Sequence, residues 1–374
     1  MSKNLVNPFK PTAGMTPPVL VGRSSVLDDF TDGLDEGAGA PGRLMRITGP
    51  RGSGKTVLLT QLGELASERG WAVINTSGKE PLCASIQDQL ARDKRIGGLD
   101  VKIALPFVTA ETKLGGARGE LSFRKAISDT TRALTKHKRG LLITIDEVQD
   151  ASVEEMTAIA TNVQYMIREE QNIGLVFAGI TTGVLDLLNG EGITFLRRAL
   201  PEELAPIPID EVARALRKTI ELTGLEISDG ALICAAEATC GYAYLIQLVG
   251  YHVWREGRRH VDSSATITEI DARTGVKAAL DRFDRSVLET ALARLTKPSM
   301  DYLLAMAQDE GVSSTAEVAR RMGKPAASAN TYRRLLIERQ IIESTAPGYV
   351  GFSIPFMREY LLRNRGELLA RYGA

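Results

Sequence analysis

The distribution of apolar residues divides the chain into regions with different secondary structure. Between residues 44 and 209, short runs of consecutive apolar residues alternate with longer segments whose apolar residues recur every three or four positions. The short runs predict buried strands, and the longer segments predict amphipathic helices. Strands that are apolar throughout are typical of a parallel sheet with helices on both faces. The predicted strands are Leu44–Thr48, Trp71–Asn75, Leu141–Ile145, Leu175–Ala178 and, edged by prolines, Leu204–Ile209.

Beyond residue 209 the strand signals stop while the helical spacing continues. The predicted fold class is therefore α/β: a parallel-sheet domain, then a helical domain, then a third domain with a pattern of its own. Ahead of them, a proline-rich stretch predicts an extended, flexible leader. The predicted boundaries are 1–18 for the leader, 19–209 for the sheet domain, 210–284 for the helical domain and 285–374 for the third domain.

The third domain has the pattern of a helix-turn-helix followed by a β-hairpin. Helices are predicted at Pro298–Gln308, Thr315–Met322 and Ala326–Arg339, with a Gly-Lys-Pro turn before the last of them. Strands at Ile341–Glu343 and Tyr349–Ile354 follow, and a terminal helix completes the chain. This order predicts a winged helix.

Residues 49–56 read Gly-Pro-Arg-Gly-Ser-Gly-Lys-Thr and match the phosphate-binding pattern G-x-x-x-x-G-K-[ST] in full. The motif lies between a predicted strand and a predicted helix. Its backbone N–H groups and the helix N-terminus can therefore surround an anion. Lys55 is expected to reach the β- and γ-phosphates, and the Thr56 hydroxyl to bind Mg²⁺. The predicted nucleotide-binding residues are Gly49, Pro50, Arg51, Gly52, Ser53, Gly54, Lys55, Thr56 and Val57.

An acidic pair, Asp146 and Glu147, follows the apolar strand Leu141–Ile145. A buried parallel strand delivers such residues to the carboxyl edge of the sheet, where the phosphates of a bound nucleotide would lie. Asp146 is expected to hold Mg²⁺ directly or through water. Glu147 is expected to polarise the attacking water as a general base.

Composition excludes several classes of protein. Lys+Arg and Asp+Glu both number 46, which argues against a wholesale polyanion binder. The three cysteines are scattered and predict neither a disulfide framework nor a zinc site. No apolar stretch is long enough to span a membrane, and the first residues lack a signal-peptide pattern. The expected location is cytoplasmic.

Together these residues resemble AAA+/STAND P-loop ATPases. The resemblance is closest to origin-recognition-type and archaeal-type ATPases that end in a winged helix, and to their actinobacterial relatives. It implies ATP with Mg²⁺ as the ligand. Val21, Gly22 and Arg23 resemble the element that lies against the adenine in this family. Thr181 or Thr182, after the strand at Leu175–Ala178, corresponds to the sensor group near the γ-phosphate.

Two further positions acquire roles through the resemblance. Arg198 aligns with an arginine finger that acts across a subunit boundary, which implies an ATP-dependent homo-oligomer; a surface arginine at a helix end is the plain alternative. Tyr244 stands where many AAA+ proteins carry the sensor-2 arginine at the start of a lid helix. Without that arginine, slow hydrolysis is expected, as in a nucleotide switch. Tyr242, nearby, is expected to pack within the core of the helical domain (residues 210–284), which the resemblance identifies as a lid.

The winged helix resembles DNA-binding domains most closely in its second and third helices. Within helix Ala326–Arg339, the segment Ala326–Tyr332 is expected to face the major groove of double-stranded DNA. Its small residues favour close approach and weak sequence specificity. Winged helices also serve as protein-binding modules, so that alternative stays open. The predicted DNA contacts are Lys324, Ser328, Asn330, Thr331, Arg333 and Arg334.

Three hypotheses follow from the sequence. The first is an ATPase that couples its nucleotide state to DNA binding, with ATP and ADP as alternating ligands. The second is a signalling or defence ATPase of the STAND type, whose winged helix binds protein and whose assembly is controlled by ATP. The third is a nucleotide-binding scaffold with negligible hydrolysis.

Overall fold

The computed structural model describes residues 5–92, 117–260 and 264–373, except residues 13, 16, 18, 20 and 191. Five strands form one parallel sheet in the spatial order β2-β3-β4-β1-β5. Strand β4 lies between β1 and β3. The predicted α/β fold class is confirmed. The strands are β1 (Leu44–Thr48), β2 (Ala72–Ser77), β3 (Leu141–Asp146), β4 (Ile173–Gly179) and β5 (Leu200–Glu203).

The last strand of the sheet is not the predicted one. The prediction placed it at Leu204–Ile209, whereas β5 occupies Leu200–Glu203 and pairs with β1 at the sheet edge. Only Leu204 continues the ladder, through its N–H to the carbonyl of Thr48 at 2.8 Å. Prolines at 206 and 208 lack the N–H that a strand needs, so the segment leaves the sheet. Its Ile207 is buried in the helical domain instead.

Helices cover both faces of the sheet because alternate strand residues point to opposite sides. Leu141, Ile143 and Ile145 of β3 pack against three helices on one face. Met45, Ile47 and Leu142 pack against two helices on the other. The first group contains α3 (Leu82–Arg92), α4 (Ala117–Lys136) and α5 (Val153–Arg168); the second contains α1 (Ser24–Glu36) and α2 (Lys55–Glu68); α6 (Thr181–Leu188) follows β4.

The predicted helical domain contains four helices, but it also contains a strand pairing that the sequence pattern did not predict. Residues Glu226–Ile227 (β6) and Thr266–Ile267 (β7) form a short parallel bridge. This bridge joins two of the connections between helices. Each of its strands is only two residues long. The helices are α7 (Ile209–Glu221), α8 (Asp229–Glu237), α9 (Ala243–Arg258) and α10 (Glu269–Phe283).

The C-terminal part is a winged helix, as predicted. Three short strands pair antiparallel in the order β8-β10-β9, and the turn between β9 and β10 forms the wing. The expected terminal helix is present as two helices joined at Asn364. The elements are α11 (Glu289–Leu292), α12 (Lys297–Met306), β8 (Ser313–Ser314), α13 (Thr315–Arg321), α14 (Ala326–Glu338), β9 (Ile342–Ala346), β10 (Tyr349–Phe352), α15 (Met357–Arg363) and α16 (Arg365–Gly373).

The helical domain and the winged helix share one hydrophobic core. A single cluster of buried side chains runs from Val212 in α7 to Leu368 in α16. Helix α10 continues through a π-helical turn at Asp284–Leu288 into α11, so the predicted boundary at residue 284 falls inside a continuous helical segment. The Arg363 side chain of α15 donates to the Asp284 carboxylate at that boundary. The two parts are therefore joined by both a shared core and a continuous helical segment.

The N-terminal segment differs from the expected flexible leader. Phe9 is 1% exposed and lies in the core of the helical domain, where its ring covers Gly250 of α9. The Asn7 side chain donates to the carbonyl of Tyr251 at 3.0 Å, and the Lys10 N–H donates to Gln247 at 3.1 Å. The stretch of residues 7–10 has no helix or strand, and one aromatic anchor holds it against α9.

None of the helices in the described part of the chain has the length and hydropathy that a membrane crossing requires.

The anchor of the N-terminal segment can be tested with Gly250. A methyl group on this residue would overlap the Phe9 ring, so Gly250→Ala should destabilise the protein by about 1–3 kcal/mol. In a Phe9→Ala background the overlap is absent. There the same substitution should stabilise α9 by about 0.5–1 kcal/mol, because alanine is a better helix former than glycine. Urea denaturation of the four proteins measures both effects, and equal effects in the two backgrounds would contradict the contact.

Candidate functional site

The glycine-rich motif forms a turn between β1 and α2, in the context that the sequence predicted. Gly52 has a φ of 76°, a conformation that side chains disfavour. Gly54 has a φ of 95° and is the N-cap of α2. The turn therefore presents backbone N–H groups and a helix N-terminus to the same space. The Ser53 hydroxyl is buried there and has no hydrogen-bond partner among the described residues. These features fit a bound phosphate chain.

Lys55 is held inside the turn. Its Nζ donates to the carbonyls of Gly49 and Pro50, each at 2.8 Å, and the side chain is 6% exposed. Burial lowers the pKa of Lys55, and the nearby carboxylates of Glu147 and Asp146 partly oppose that shift. The ammonium group is thus already placed among the backbone groups that would surround phosphates.

Thr56 and Asp146 meet at the start of α2. The Thr56 hydroxyl donates to Oδ2 of Asp146 at 2.5 Å, because β3 ends beside the first turn of that helix. Both groups offer oxygen, the ligand type that Mg²⁺ prefers, and proteins often supply only one or two ligands when nucleotide phosphates supply others. The pair fits Mg²⁺ in that role.

Arg23 packs against the P-loop (residues 49–56), and the predicted contact of Val21, Gly22 and Arg23 with adenine stays a prediction. Its Nη2 donates to the carbonyls of Ser53, at 3.3 Å, and Ala205, at 3.2 Å. Burial lowers the pKa of Arg23, and Glu211 partly offsets this effect. The guanidinium therefore links the chain entering α1 to the turn that holds Lys55.

The start of α9 contacts the tip of the P-loop. The Tyr242 hydroxyl donates to the carbonyl of Arg51, and the N–H of Tyr244 donates to the carbonyl of Gly52 at 3.2 Å. A side chain on Gly52 would overlap the Tyr242 hydroxyl. Burial raises the pKa of Tyr242 to about 12, so the phenol stays a donor at neutral pH. Tyr242 packs in the core of the helical domain, as expected, and its hydroxyl also reaches the P-loop.

A cavity of about 450 Å³ lies between these elements. It is bounded by the P-loop, by the start of α9 and by the N-terminal segment that Phe9 anchors. Val21, Arg23 and Tyr244 line it, whereas Gly22 lines a neighbouring cavity of about 270 Å³. From the P-loop and α2 the lining residues are Arg51, Gly52, Ser53, Gly54, Lys55, Thr56, Val57 and Leu58; from the N-terminal segment they include Lys10, Pro11, Thr12, Gly14, Met15, Pro17 and Val19.

Comparison with known families decides what this arrangement is. Residues 19–172, which contain the P-loop, Asp146 and Glu147, match the family described as "AAA ATPase domain". This part of the chain has the fold of an AAA+ P-loop ATPase domain. Residues 285–361, within the winged-helix region, match a family described as a domain of unknown function (DUF8462). No curated protein matches the chain.

Solved structures with the same fold include archaeal and bacterial proteins. The Aeropyrum pernix ORC2 protein, in its ADPNP–ADP complexes, has a TM-score of 0.64 at 14% identity; the match covers 97% of this chain and 98% of that one. CDC6P from Pyrobaculum aerophilum has a TM-score of 0.51 at 15% identity, covering 96% and 97%. A single-residue variant of RuvB from Thermotoga maritima has a TM-score of 0.50 at 18% identity, covering 91% and 95%. These likenesses concern the fold.

Thr181 and Arg198 lie outside the cavity lining, as do the predicted nucleotide-site residues Gly22, Gly49, Pro50 and Asp146. Thr181 is the first residue of α6, directly after the end of β4. Arg198 is exposed at the end of a 3₁₀ helix at Thr194–Arg198, just before β5. Their roles near the γ-phosphate and across a subunit boundary stay predictions.

The predicted DNA-contact residues lie on and beside α14. Ser328, Asn330 and Thr331 are exposed on its first turns. Lys324 lies over the Tyr332 ring, 5.8 Å from the ring centroid.

The arginines of this face are already engaged within the winged helix. Arg333 donates to Asn330 at 3.3 Å and, across to the wing, to Ser344 at 3.2 Å. Arg334 lies 3.8 Å from Glu338. The surface of α14 is therefore exposed, but polar and acidic side chains of the winged helix already contact its arginines.

The first site prediction concerns Lys55. Replacing it with alanine removes the cation that is predicted to reach the β- and γ-phosphates, so Lys55→Ala should abolish measurable nucleotide binding. Equilibrium titration with a fluorescent ATP analogue measures the affinity. Lys218→Ala, on the surface of α7, is the matched control and should bind as the wild type does. Retained affinity in Lys55→Ala would place the site elsewhere.

The second site prediction concerns the contact between the start of α9 and the P-loop. Tyr242→Phe removes the hydroxyl that donates to Arg51 and should lower the free energy of unfolding by about 1 kcal/mol. It should also speed release of a fluorescent ADP analogue, because the start of α9 is held less firmly over the cavity. Stopped-flow displacement measures that rate. Tyr251→Phe, further along α9, should release ADP at the wild-type rate; equal acceleration in both variants would contradict the assignment.

Proposed function

We propose that this protein is an ATP-dependent switch: it binds ATP with Mg²⁺, hydrolyses it slowly and couples the nucleotide state to binding of double-stranded DNA by the winged helix. The observation that carries the proposal is the contact of Tyr242 and Tyr244 with the P-loop. These residues begin the helix whose other side is buried in the core shared with the winged helix. A change at the P-loop tip therefore acts on the lid and winged helix as one unit. The domain boundaries at 19–209, 210–284 and 285–374 belong to the same proposal.

Hydrolysis in this proposal uses two groups of the chain. Lys55 stabilises the charge that develops on the transferred phosphoryl group. Glu147 takes a proton from the attacking water. Mg²⁺, held by Thr56 and Asp146, would neutralise charge on the phosphates. The fold is shared with the ORC2 protein solved in ADPNP–ADP complexes, which supports an adenine nucleotide as the ligand.

Slow turnover is supported by the residue at the start of the lid. Tyr244 lies in the cavity at the place where the resemblance would put an arginine. A tyrosine brings no positive charge to the γ-phosphate, so one source of transition-state stabilisation is missing. Arg198, exposed at the sheet edge, would add such a charge only from a neighbouring subunit in an ATP-dependent homo-oligomer.

A second candidate is favoured by the charges of the winged helix. Arg321 bridges Asp309 at 2.6 Å and Glu317 at 3.1 Å, and Arg320 pairs with Glu317 at 2.6 Å. A surface whose arginines are paired suits a protein partner as well as DNA. The Arg320 pair is exposed, however, and such pairs contribute little, so a phosphate can replace the carboxylate.

DNA binding of a variant that retains ATP tests the proposal. Glu147→Gln should hydrolyse ATP far more slowly than the wild type and stay in the ATP state. Its affinity for a DNA duplex should be higher with ATP than with ADP. Three phosphate contacts, from Lys324, Arg333 and Arg334, predict a slope of about −2.7 for log K against log salt. Fluorescence anisotropy at several salt concentrations measures the slope, and Lys324→Ala should reduce it by about one.

Each failure has a distinct meaning in this experiment. Indifference to DNA at low salt in both nucleotide states would overturn the DNA proposal and favour the protein-binding candidate. Phosphate release by the wild type that is no faster than by Glu147→Gln would overturn the ATPase proposal and leave a nucleotide-binding scaffold.

A further inference from the structure

Glu147 occupies an unusual backbone conformation that its surroundings hold in place. Its φ is 48°, in the left-handed region that non-glycine residues rarely adopt. The N–H of Glu147 donates to the Asp146 carboxylate at 2.8 Å, and Gly78 at the end of β2 packs so closely that a methyl group there would overlap the Glu147 carbonyl. These contacts fix the backbone, but they do not set the direction of the carboxylate.

The Glu147 carboxylate has a partner of its own, the side-chain amide of Gln149. Nε2 of Gln149 donates to Oε2 of Glu147 at 2.5 Å. At the other end of the amide, Oε1 accepts from the backbone N–H of Ile180 at 3.2 Å. Only this orientation of the amide satisfies both neighbours, because the opposite one would place oxygen against oxygen and N–H against N–H.

Gln149 has little room to move away from these partners. A methyl group on Gly179, the last residue of β4, would overlap its Oε1. A methyl group on Gly183 in α6 would overlap its Cβ. The side chain thus lies in a slot between the end of β4 and the first turn of α6. The slot exists because both positions lack a side chain.

The geometry points to Gln149 as a positioning residue that orients the Glu147 carboxylate and ties it to the end of β4, beside Thr181. This inference rests on the proposed role of Glu147 in hydrolysis. A general base acts only from within hydrogen-bond reach of the water, so an oriented carboxylate is needed. The bond to Ile180 makes that orientation depend on the strand end where the γ-phosphate sensor is predicted. Gln149 is not predicted to touch ATP.

Substitution by methionine keeps the length of the side chain and removes both hydrogen bonds. Gln149→Met should lower kcat for ATP hydrolysis about tenfold, because a hydrogen bond to a charged group is lost. The KM for ATP and the affinity for a fluorescent ATP analogue should not change. Asp150→Asn, on the exposed neighbouring residue, is the control and should keep the wild-type kcat.

A double-mutant cycle distinguishes positioning from a structural role. In single-turnover measurements, adding Gln149→Met to Glu147→Gln should cause no further loss, since the residue being positioned is already absent. An equal additional loss in that background, a fall in ATP affinity, or a kcat that is unchanged or raised in Gln149→Met would overturn the inference. If Glu147→Gln itself hydrolyses as fast as the wild type, the proposed ATPase function fails instead, and the two failures stay distinct.

Discussion

The contact between the tip of the P-loop and the start of α9 is the constraint on which the rest of the structure depends. Gly52 has no side chain, so the Tyr242 hydroxyl can reach the carbonyl of Arg51. The same glycine offers its own carbonyl to the N–H of Tyr244. A phosphate-binding loop must expose N–H groups to its ligand, which leaves its carbonyls pointing outward. Here the outward carbonyls accept hydrogen bonds from Tyr242 and Tyr244 at the start of α9.

Helix α9 therefore contacts three parts of the molecule. Its first residues contact the P-loop, its middle carries Phe9 of the N-terminal segment over Gly250, and its buried side belongs to the core shared with the winged helix. Protein interiors are close-packed and move as bodies instead of deforming continuously. In the proposed function, a nucleotide that changes the P-loop contact would thus shift the lid, the winged helix and one wall of its own cavity at once.

The features that depend on a local pattern of residues could be predicted from the sequence. The P-loop context, the strand before Asp146 and the helix-turn-helix of the winged helix all follow from apolar spacing and motif, and the structure has them. Tyr242, Gln149 and Phe9 were missed because their contacts join residues far apart in sequence, to Arg51, Ile180 and Gly250 respectively. The sequence does contain a weak signal for these contacts, because a glycine lies at or directly beside Arg51, Ile180 and Gly250. The false strand at Leu204–Ile209 arose because apolar spacing outweighed its two prolines.

In the proposed function, the lid and the Glu147 carboxylate would respond to the nucleotide through different contacts. The lid is bonded to the outer carbonyls of the P-loop, whereas Glu147 is tied through Gln149 to the end of β4. A ligand shifts a conformational equilibrium only by its difference in affinity for the two states. Since the two contacts lie on different elements, ATP binding could set the lid without committing the chain to hydrolysis. That separation suits a switch, in which the ATP state must persist long enough for the winged helix to act on its partner.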